Sequence, residues 1–496
     1  MVYSFSPFGF EGSLVNVEVD IRKGIPAVDI VGLADSAVKE SRERVMSAIR
    51  NSNLEFPSER VLISLSPADL KKEGAGFDLP LAVAILEAQY GLELKDQLFV
   101  MGELELGGAV RPVRAVQAGL STALSAGIRY AIISDAEIEI PAGVKYKKVK
   151  NLTEAYFALC DLAQEHYETF TESSGEINNE FKVDFIESET LKDVNMLEGL
   201  KFAMAVACAG KHNIMAYGKP ACGKTMVMQR MNELLPKLTP EEKASVNRIY
   251  SIAGLDGLNK NGERPFRMPH QTASIEGICG GGPNCRPGEI TLAHNGILFL
   301  DEAAEFRTSV LQMLRVPLET HTITLSRAGR TTVYPAHFQL AMAVNPCPCG
   351  NYGAKDRICL CSAKSIEQYW KKFSAPLLDR VDIRFNCEND SDWTKCSFEE
   401  LREMVARAWK TQYERWGKLN GDLTPAELEE LQKDVEPDAL TFLQRECEKR
   451  DYSPRARVSI LKLSRTLADM FDYEDVPVNC IAQAIALRSG TPLETL

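Results

Sequence analysis

Residues 218–225 read Gly218-Lys219-Pro220-Ala221-Cys222-Gly223-Lys224-Thr225, which is the pattern G-x-x-x-x-G-K-T of a phosphate-binding P-loop. The mostly apolar residues 212–217 before it predict a buried strand, and Met226–Leu235 after it predict a helix. A P-loop lies between a strand and a helix, so this context supports the motif. The sequence therefore predicts an α/β fold with a parallel sheet that binds a nucleotide.

The composition of this loop suits phosphate binding. Gly218 and Gly223 allow backbone N–H groups to close around phosphate oxygens, and the start of the following helix favours negative charge. We expect Lys224 to reach the β- and γ-phosphates of ATP and the Thr225 hydroxyl to bind Mg²⁺. All eight residues of the loop belong to the predicted nucleotide site.

Two further apolar strands end in polar residues that suit ATP hydrolysis. Ile297–Leu300 is followed by Asp301 and Glu302, as in a Walker B strand. Asp301 would hold Mg²⁺ through water and Glu302 would polarise the attacking water, whereas the alternative is an acidic helix cap after a buried strand. Residues 337–344 form another apolar strand that ends in Asn345, which we expect to orient the same water as a sensor 1 residue.

Two arginines are candidates for contacts with the phosphates. Arg380 lies near the end of a predicted helix, where it suits either an arginine finger donated to a neighbouring subunit or a salt bridge to Asp379 or Asp382. Arg455 opens a later predicted helix and could reach back to the γ-phosphate as a sensor 2 arginine. Arg457 is the second choice for that role.

Four cysteines form two C-x-C pairs with nine residues between them. Cys347 and Cys349 are the first pair, and Cys359 and Cys361 are the second. Thiols in this pattern suggest a Cys₄ zinc loop, although the commoner spacing is C-x₂-C, and four reduced thiols in a loop is the other interpretation. Cys222 lies inside the P-loop and is not a ligand candidate, but it could make an ATPase sensitive to oxidation.

A β-hairpin is predicted between Thr322 and Tyr334. The segments Thr322–Leu325 and Thr331–Tyr334 are strand-like, and the residues between them form the turn. Arg327 and Arg330 lie near its tip, where they could bind the phosphate backbone of DNA. A solvated turn is the alternative interpretation.

The chain has 496 residues, enough for about three domains. Residues 1–165 alternate between predicted strands and helices, and the polar residues 166–184 predict a linker. Residues 185–390 carry the P-loop and the strands described above, so we assign them to an ATPase core. Residues 391–496 are nearly all helical in pattern, which is typical of the helical lid of AAA+ ATPases.

The composition limits the class of protein. With 45% apolar and 25% charged residues it is that of an ordinary globular protein, and no apolar run is long enough to span a bilayer. Residues 1–13 lack the basic start and apolar core of a secretory signal, so we expect a cytoplasmic protein without a membrane partner. Thirteen cysteines in such a chain argue against a disulfide framework. The net charge of −12 argues against coating of DNA by the whole surface, but it allows a local basic channel.

These features together resemble the YifB/ComM family of magnesium-chelatase-like AAA+ proteins, and the resemblance covers nearly the whole chain. The family motifs appear in order, as R-P-F-R-M-P-H at Arg264–His270, R-P-G-E-I at Arg286–Ile290, A-H-N-G-I-L-F-L-D-E at Ala293–Glu302, N-P-C-P-C-G at Asn345–Gly350, P-L-L-D-R-V-D at Pro376–Asp382 and S-P-R at Ser453–Arg455. The P-loop departs from the usual G-P-P-G-[ST]-G-K-[ST], since Lys219 and Ala221 replace Pro and Gly.

The resemblance carries expectations about fold and assembly. It implies an N-terminal domain like ribosomal protein S5 domain 2 and the Lon protease domain, followed by a P-loop AAA+ core and a helical lid. It also implies a hexameric ring that uses ATP and Mg²⁺. The Ser–Lys pair of Lon is not found, because Gly76 and Gln117 lie near the corresponding positions, so we expect this domain to be non-proteolytic.

The resemblance further implies branch migration of DNA in recombination and natural transformation. The first hypothesis is therefore an ATP-driven ring motor and helicase that moves along branched or single-stranded DNA. The alternative is a chelatase-type or regulatory ATPase that remodels a protein partner, because that class shares the same core. Stimulation of ATP hydrolysis by branched DNA would distinguish the two.

Overall fold

A computed structural model describes the fold of three successive regions of the chain. Within the described part, none of the helices combines the length and the apolar character that crossing a membrane requires. The described residues are 1–32, 36–67, 72, 75–173, 183–185, 197–255, 261–327, 330–353, 357–388 and 396–488.

The first region is a mixed sheet covered by helices. Its strands are β1 (Val2–Ser6), β2 (Ser13–Arg22), β3 (Ala27–Val31), β4 (Arg60–Ser66), β5 (Leu98–Met101), β6 (Glu103–Leu104), β7 (Val110–Arg111), β8 (Tyr130–Ser134), β9 (Lys145–Val149) and β10 (Thr171–Glu172), and its helices are α1 (Ser36–Asn51), α2 (Asp78–Gln89), α3 (Val116–Ser125) and α4 (Leu152–Ala163). The large sheet has the order β10-β9-β8-β5-β1-β2-β4-β3. In β4 the buried residues Val61, Ile63 and Leu65 alternate with less buried ones, because successive side chains of a strand point to opposite faces.

This sheet extends into residues 166–184, which we predicted to be a linker. A 3₁₀ turn covers Tyr167–Thr169, and β10 pairs with β9 through Thr171 opposite Tyr146. Phe170 between these elements is 5% exposed, and its ring meets that of Tyr130 edge to face at 5.7 Å. The start of the predicted linker is therefore part of the first region, because an apolar side chain there is buried in its core.

The second region contains a parallel sheet of five strands. Its strands are β11 (Ile214–Tyr217), β12 (Phe266–Arg267), β13 (Gly280–Gly281), β14 (Arg286–Pro287), β15 (Ile297–Leu300), β16 (Thr322–Arg327), β17 (Arg330–Pro335), β18 (Gln339–Val344) and β19 (Ile383–Asn386), and its helices are α5 (Glu198–Gly210), α6 (Lys224–Met228), α7 (Pro240–Ala253), α8 (Ile275–Cys279), α9 (Glu289–Leu292), α10 (Thr308–Met313), α11 (Pro317–Thr320), α12 (Ala363–Lys371) and α13 (Ser374–Leu378). The sheet order is β12-β15-β18-β11-β19, with every pairing parallel. The predicted parallel α/β core is confirmed.

The helix after the P-loop is shorter than the sequence predicts. We expected one helix over Met226–Leu235, but α6 has five residues and a separate 3₁₀ turn covers Met231–Leu234. Leu235 is extended, with ψ 136°, as expected for a residue that precedes proline. The backbone leaves the α-helical region at Arg230, whose guanidinium binds Glu233 and lies 4.2 Å from the centre of the Phe398 ring.

The third region is helical, as predicted, with α14 (Phe398–Trp416), α15 (Pro425–Leu431), α16 (Pro437–Lys449), α17 (Pro454–Met470) and α18 (Val478–Leu487). It shares one hydrophobic cluster with α5 and the parallel sheet. The Trp409 indole and the Gln412 amide of α14 donate hydrogen bonds of 3.0 Å to the carbonyls of Cys208 and Ala209 in α5. The lid is therefore anchored directly to the helix that precedes the P-loop strand.

Candidate nucleotide and metal sites

The P-loop leaves the carboxyl end of β11, which lies between β18 and the edge strand β19 in the parallel sheet. Gly223 has φ +94°, a conformation that favours glycine, and Ala221 has φ +61°. A residue other than glycine in the left-handed backbone conformation raises the free energy of the fold by about 1 kcal/mol or more. Ala221 is therefore strained compared with the glycine that is usual at this position in the family that the sequence resembles. The loop nevertheless encloses the buried side chain of Lys224.

Lys224 is fixed inside this loop. Its Nζ donates hydrogen bonds of 2.7 Å to the carbonyls of Gly218 and Lys219 and lies 3.4 Å from Oδ1 of Asn345, and the residue is 7% exposed. The structure thus brings together two predicted site residues that lie 121 positions apart in the sequence. Since α6 has only five residues, attraction for phosphate at this loop would come from backbone N–H groups and Lys224 rather than from a helix dipole.

Thr225 and Asp301 are neighbours at the same edge of the sheet. The Thr225 hydroxyl donates a hydrogen bond of 2.9 Å to Oδ1 of Asp301, which also accepts one from the backbone N–H of Glu302 at 3.0 Å. A hydroxyl beside a carboxylate is the oxygen donor set that suits Mg²⁺ next to a phosphate group. Glu302 follows with φ +47° and an exposed side chain, so its carboxylate is accessible to water. The geometry fits the predicted magnesium site.

Arg380 lies at the opposite end of the sheet from the P-loop. Its backbone carbonyl accepts a hydrogen bond of 2.8 Å from the Asn213 amide, directly before β11, whereas the P-loop starts directly after β11. The four residues of β11 separate Asn213 from Gly218, and the five residue steps between them span about 16 Å. The guanidinium forms an ion pair with Glu319 rather than with Asp379 or Asp382, the partners considered from the sequence.

Arg455 lies beside Arg380. Its Nη2 is 3.7 Å from Oε1 of Glu319, so the two arginines converge on one carboxylate. The hydrogen bond and charge of Arg380, with a further contribution from Arg455, hold the pKa of Glu319 below its usual value. Arg455 is held here because α17 packs at the amino end of β19, where Ser459 binds Asp382. Its contact with a γ-phosphate stays a prediction.

The four cysteines of the two C-x-C pairs form one cluster. The Sγ atoms of Cys347, Cys349 and Cys359 lie 3.4 to 3.7 Å apart, and Cys361 joins them within 4.8 Å. Four thiolates bound to one Zn²⁺ at 2.3 Å in a tetrahedron lie roughly 3.8 Å apart, so the cluster has the size of a Cys₄ zinc site. The loop that carries the cluster also packs on the P-loop. Gly350 lies so close to Pro220 that a Cβ atom added to Gly350 would be only 2.4 Å from Cγ of Pro220.

A second group of potential ligands was not predicted from the sequence. Single ligand atoms of His321, His337 and Asp422 lie within 4.8 Å of one another. Lys211 lies 3.7 Å from the Asp422 carboxylate, and Nε2 of His337 lies within hydrogen-bond distance of Oδ1 of Asp422, at 2.9 Å. Asp422 therefore already has cationic and hydrogen-bonding partners, which makes this group a polar contact between core and lid. No local motif marks it, because its members come from three distant segments.

The predicted hairpin is formed by β16 and β17, with Arg327 paired with Arg330. Residues 328 and 329 at its tip, and the Arg330 side chain, lie outside the described residues, whereas the Arg327 side chain is exposed. The middle of the hairpin is bound by the first region, because the Phe10 N–H donates to Thr332 Oγ1 at 3.2 Å and Thr332 is paired with Leu325. The contact of Arg327 and Arg330 with DNA stays a prediction.

Comparison with known sequences covers each of the three regions. The family described as "Magnesium chelatase, subunit ChlI" matches residues 190–394, "Subunit ChlI of Mg-chelatase" matches 17–137, and "Magnesium chelatase, subunit ChlI C-terminal" matches 396–488. The chain is 37% identical to competence protein ComM of Haemophilus influenzae over 99% of this chain and 97% of that protein.

The chain belongs to the YifB/ComM family. It is also 34% identical to the uncharacterized protein YifB of Escherichia coli, over 99% of this chain and 97% of that protein. A Lon protease of Syntrophomonas wolfei is 26% identical over 147 residues, which are 27% of this chain and 18% of that protein. The chain is thus an AAA+ ATPase of this family, with partial similarity to Lon.

The two lysines of the P-loop provide a matched test of the nucleotide site. We expect Lys224→Ala to lower ATP turnover by about 100-fold or more, because a charge fixed next to the transferred phosphate is lost. We expect Lys219→Ala to have a much smaller effect, since only the Lys219 carbonyl contacts Lys224. Release of phosphate from ATP measures both variants. Equal losses would contradict the central role of Lys224.

Proposed function

We propose that this protein is an ATP-driven motor that moves along branched or single-stranded DNA as a ring. The observation that carries this proposal is the separation of Arg380 from the P-loop of its own chain by the length of β11. An arginine at that end of the sheet is available to a nucleotide bound by a neighbouring subunit. If each subunit gives its arginine to the site of the next one, the subunits contact one another head to tail. Such contacts form a closed ring in which each subunit completes the nucleotide site of its neighbour.

Each half of the shared site has a distinct task. Lys224 and the loop N–H groups bind the β- and γ-phosphates, while Thr225 and Asp301 hold Mg²⁺. Bound Mg²⁺ would neutralise negative charge on these phosphates. Glu302 accepts a proton from the attacking water, which Asn345 orients from the next strand.

The neighbouring subunit supplies the other half. Arg380 and Arg455 both contact the exposed carboxylate of Glu319, although the side chain of Arg380 itself is largely buried. In the ring they would exchange this carboxylate for the γ-phosphate of the neighbour and stabilise the negative charge that develops during hydrolysis. Arg455 therefore acts across the interface with Arg380. On the basis of the family resemblance we propose that the ring is a hexamer.

The hairpin of β16 and β17 is the proposed DNA contact. Arg327 is exposed near its tip, and a protein with a net charge of −12 needs such local positive charge to bind a phosphate backbone. The hydrogen bond between Phe10 and Thr332 joins the middle of the hairpin to the first region, so this non-proteolytic domain would support the hairpin as the motor moves. We place this activity in the cytoplasm, where ATP and DNA meet and thiols stay reduced.

We further propose that the cluster of four cysteines binds Zn²⁺. The support is the spacing of its sulfur atoms, which matches a tetrahedral thiolate site. The cluster starts two residues after Asn345 and packs through Gly350 on Pro220. A metal there would hold both the water-orienting strand end and the P-loop in place.

Mixing two inactive variants tests whether the site is shared. Lys224→Ala and Arg380→Ala should each be nearly inactive alone. An equimolar mixed ring should regain activity, because about a quarter of its interfaces combine an intact P-loop with an intact Arg380 from the neighbour. Turnover of the mixture measures this.

A control pair has both defects in the same half of the site. Mixing Lys224→Ala with Asp301→Asn should restore nothing, because each variant spoils its own P-loop half and no interface is complete. If the first mixture stays as inactive as this control, Arg380 does not act across subunits.

The DNA motor itself is tested by turnover with no DNA, duplex, single strand and a four-way junction. We expect the junction to stimulate turnover, and we expect Arg327→Ala to lower this stimulation while basal turnover persists. Arg445→Ala in the lid removes an equally exposed arginine and should leave stimulation unchanged. Turnover that no DNA alters would favour the alternative, an ATPase that remodels a protein partner.

Metal analysis of the purified protein tests the zinc site. We expect about one Zn²⁺ per chain, lost in Cys359→Ser because a tetrahedral site needs its fourth thiolate. Cys447→Ser, which lies outside the cluster, should retain the metal. A folded wild-type protein that purifies without zinc would contradict this assignment.

A further inference from the structure

The register of the parallel sheet brings the P-loop next to a buried cysteine. Tyr217 of β11 is paired with Asn386 of β19, so the next residues, Gly218 and Cys387, leave the sheet side by side. The two residues are so close that a Cβ atom added to Gly218 would lie 3.0 Å from Cβ of Cys387. The Cys387 residue is 6% exposed. Cys387 thus packs against the first glycine of the loop.

The loop turns back so that Cys222 meets this cysteine. The Cys387 thiol forms a hydrogen bond with the Cys222 sulfur, and Nζ of Lys224 lies 3.7 Å from that sulfur on the other side. Cys222 is half-buried, so small molecules that enter the nucleotide site can reach it. Two thiols and a lysine ammonium therefore converge at the centre of the phosphate-binding loop.

This environment activates Cys222. The hydrogen bond from Cys387, together with the charge of Lys224, lowers the pKa of the Cys222 thiol to about 6, although burial acts in the opposite direction. The thiolate is the nucleophilic form of cysteine, and accessible thiolates next to a lysine are the ones that oxidants attack selectively. Cys387 lies where a resolving thiol is needed, in contact with the sulfur that would be oxidised.

We propose that Cys222 and Cys387 form a redox switch that hydrogen peroxide closes into a disulfide, which blocks the nucleotide site. In the first step the Cys222 thiolate attacks a peroxide oxygen, the O–O bond breaks, and Cys222 becomes a sulfenic acid while hydroxide leaves as water after protonation. In the second step the Cys387 sulfur attacks the sulfenic sulfur, and a second water leaves as the disulfide forms. Two thiols are oxidised by two electrons and one molecule of hydrogen peroxide is reduced.

The switch acts on the same loop as the proposed nucleotide site and rests on that proposal. A bond from Cys222 to Cys387 ties the loop to the end of β19, next to Gly218. The backbone N–H groups at 221–225 must be free to close around phosphate oxygens, which this covalent link prevents. ATP or ADP bound there would cover Cys222 and slow its oxidation.

The test uses the full-length protein with hydrogen peroxide as the oxidant. Turnover should fall in proportion to the fraction of protein with a disulfide between the peptides containing Cys222 and Cys387, mapped by mass spectrometry. A dithiol reductant should restore turnover, and ADP present during oxidation should protect it. Cys387→Ser and Cys387→Ala should retain basal turnover and form no such disulfide, while Cys447→Ser should behave as wild type.

Every variant retains the four cysteines of the proposed zinc site. A difference between the variants and the wild type therefore reports oxidation of Cys222 and Cys387 and not of that cluster. Equal reversible inactivation of the wild type and both Cys387 variants would overturn the switch, as would a disulfide that leaves turnover unchanged. The Lys224→Ala variant distinguishes the two proposals. If this variant hydrolyses ATP normally, the nucleotide site itself is wrong. If the variant is inactive and no Cys222–Cys387 disulfide forms in the oxidised wild type, only the switch is wrong.

Discussion

The parallel register of β11 between β18 and β19 is the constraint on which the site depends. Tyr217 is paired with Val344 on one side and with Asn386 on the other, so Gly218, Asn345 and Cys387 leave the sheet at one edge. A shift of one residue would turn each side chain to the opposite face of the sheet. The contacts of Lys224 with Gly218 and Asn345 follow from this alignment.

The same register places the functional groups of the candidate site at the two opposite ends of β11. At the carboxyl end of β11 are the groups proposed to bind phosphate and magnesium, whereas Asn213 holds the backbone of Arg380 at the amino end. The buried residues of β11 lie between these two ends, so the Arg380 backbone is about 16 Å from the P-loop of its own subunit. In the proposed ring a second copy would complete the site, and the carboxylate of Glu319 would keep both arginines paired until that copy arrives.

Sequence reasoning succeeded where the information is local. The P-loop spacing and the apolar run before Asp301 predicted strands and turns from adjacent residues, and the parallel core and helical lid were predicted in the same way. It failed where distant segments meet. Nothing near Phe170 marks its burial against Tyr130, and nothing near Arg380 marks Glu319 as its partner. The sequence also did not predict that α6 ends early. The chain leaves the helix near Arg230, whose guanidinium contacts the ring of Phe398, 168 residues later in the chain.

The P-loop lies between two sets of cysteines, and this placement gives them opposite effects on the same loop. On one side Gly350, with φ +76°, lets the cysteine cluster pack on Pro220, while on the other side Cys387 packs on Gly218. A metal bound by the cluster would order its own loop and so support the P-loop from outside, because metal binding energy offsets the entropy lost on ordering. A bond at Cys387 would instead restrain the residues that must adapt to phosphate. If both proposals hold, the same kind of side chain would stabilise the loop from one side and lock it from the other, according to whether the sulfur atoms face a metal or the nucleotide.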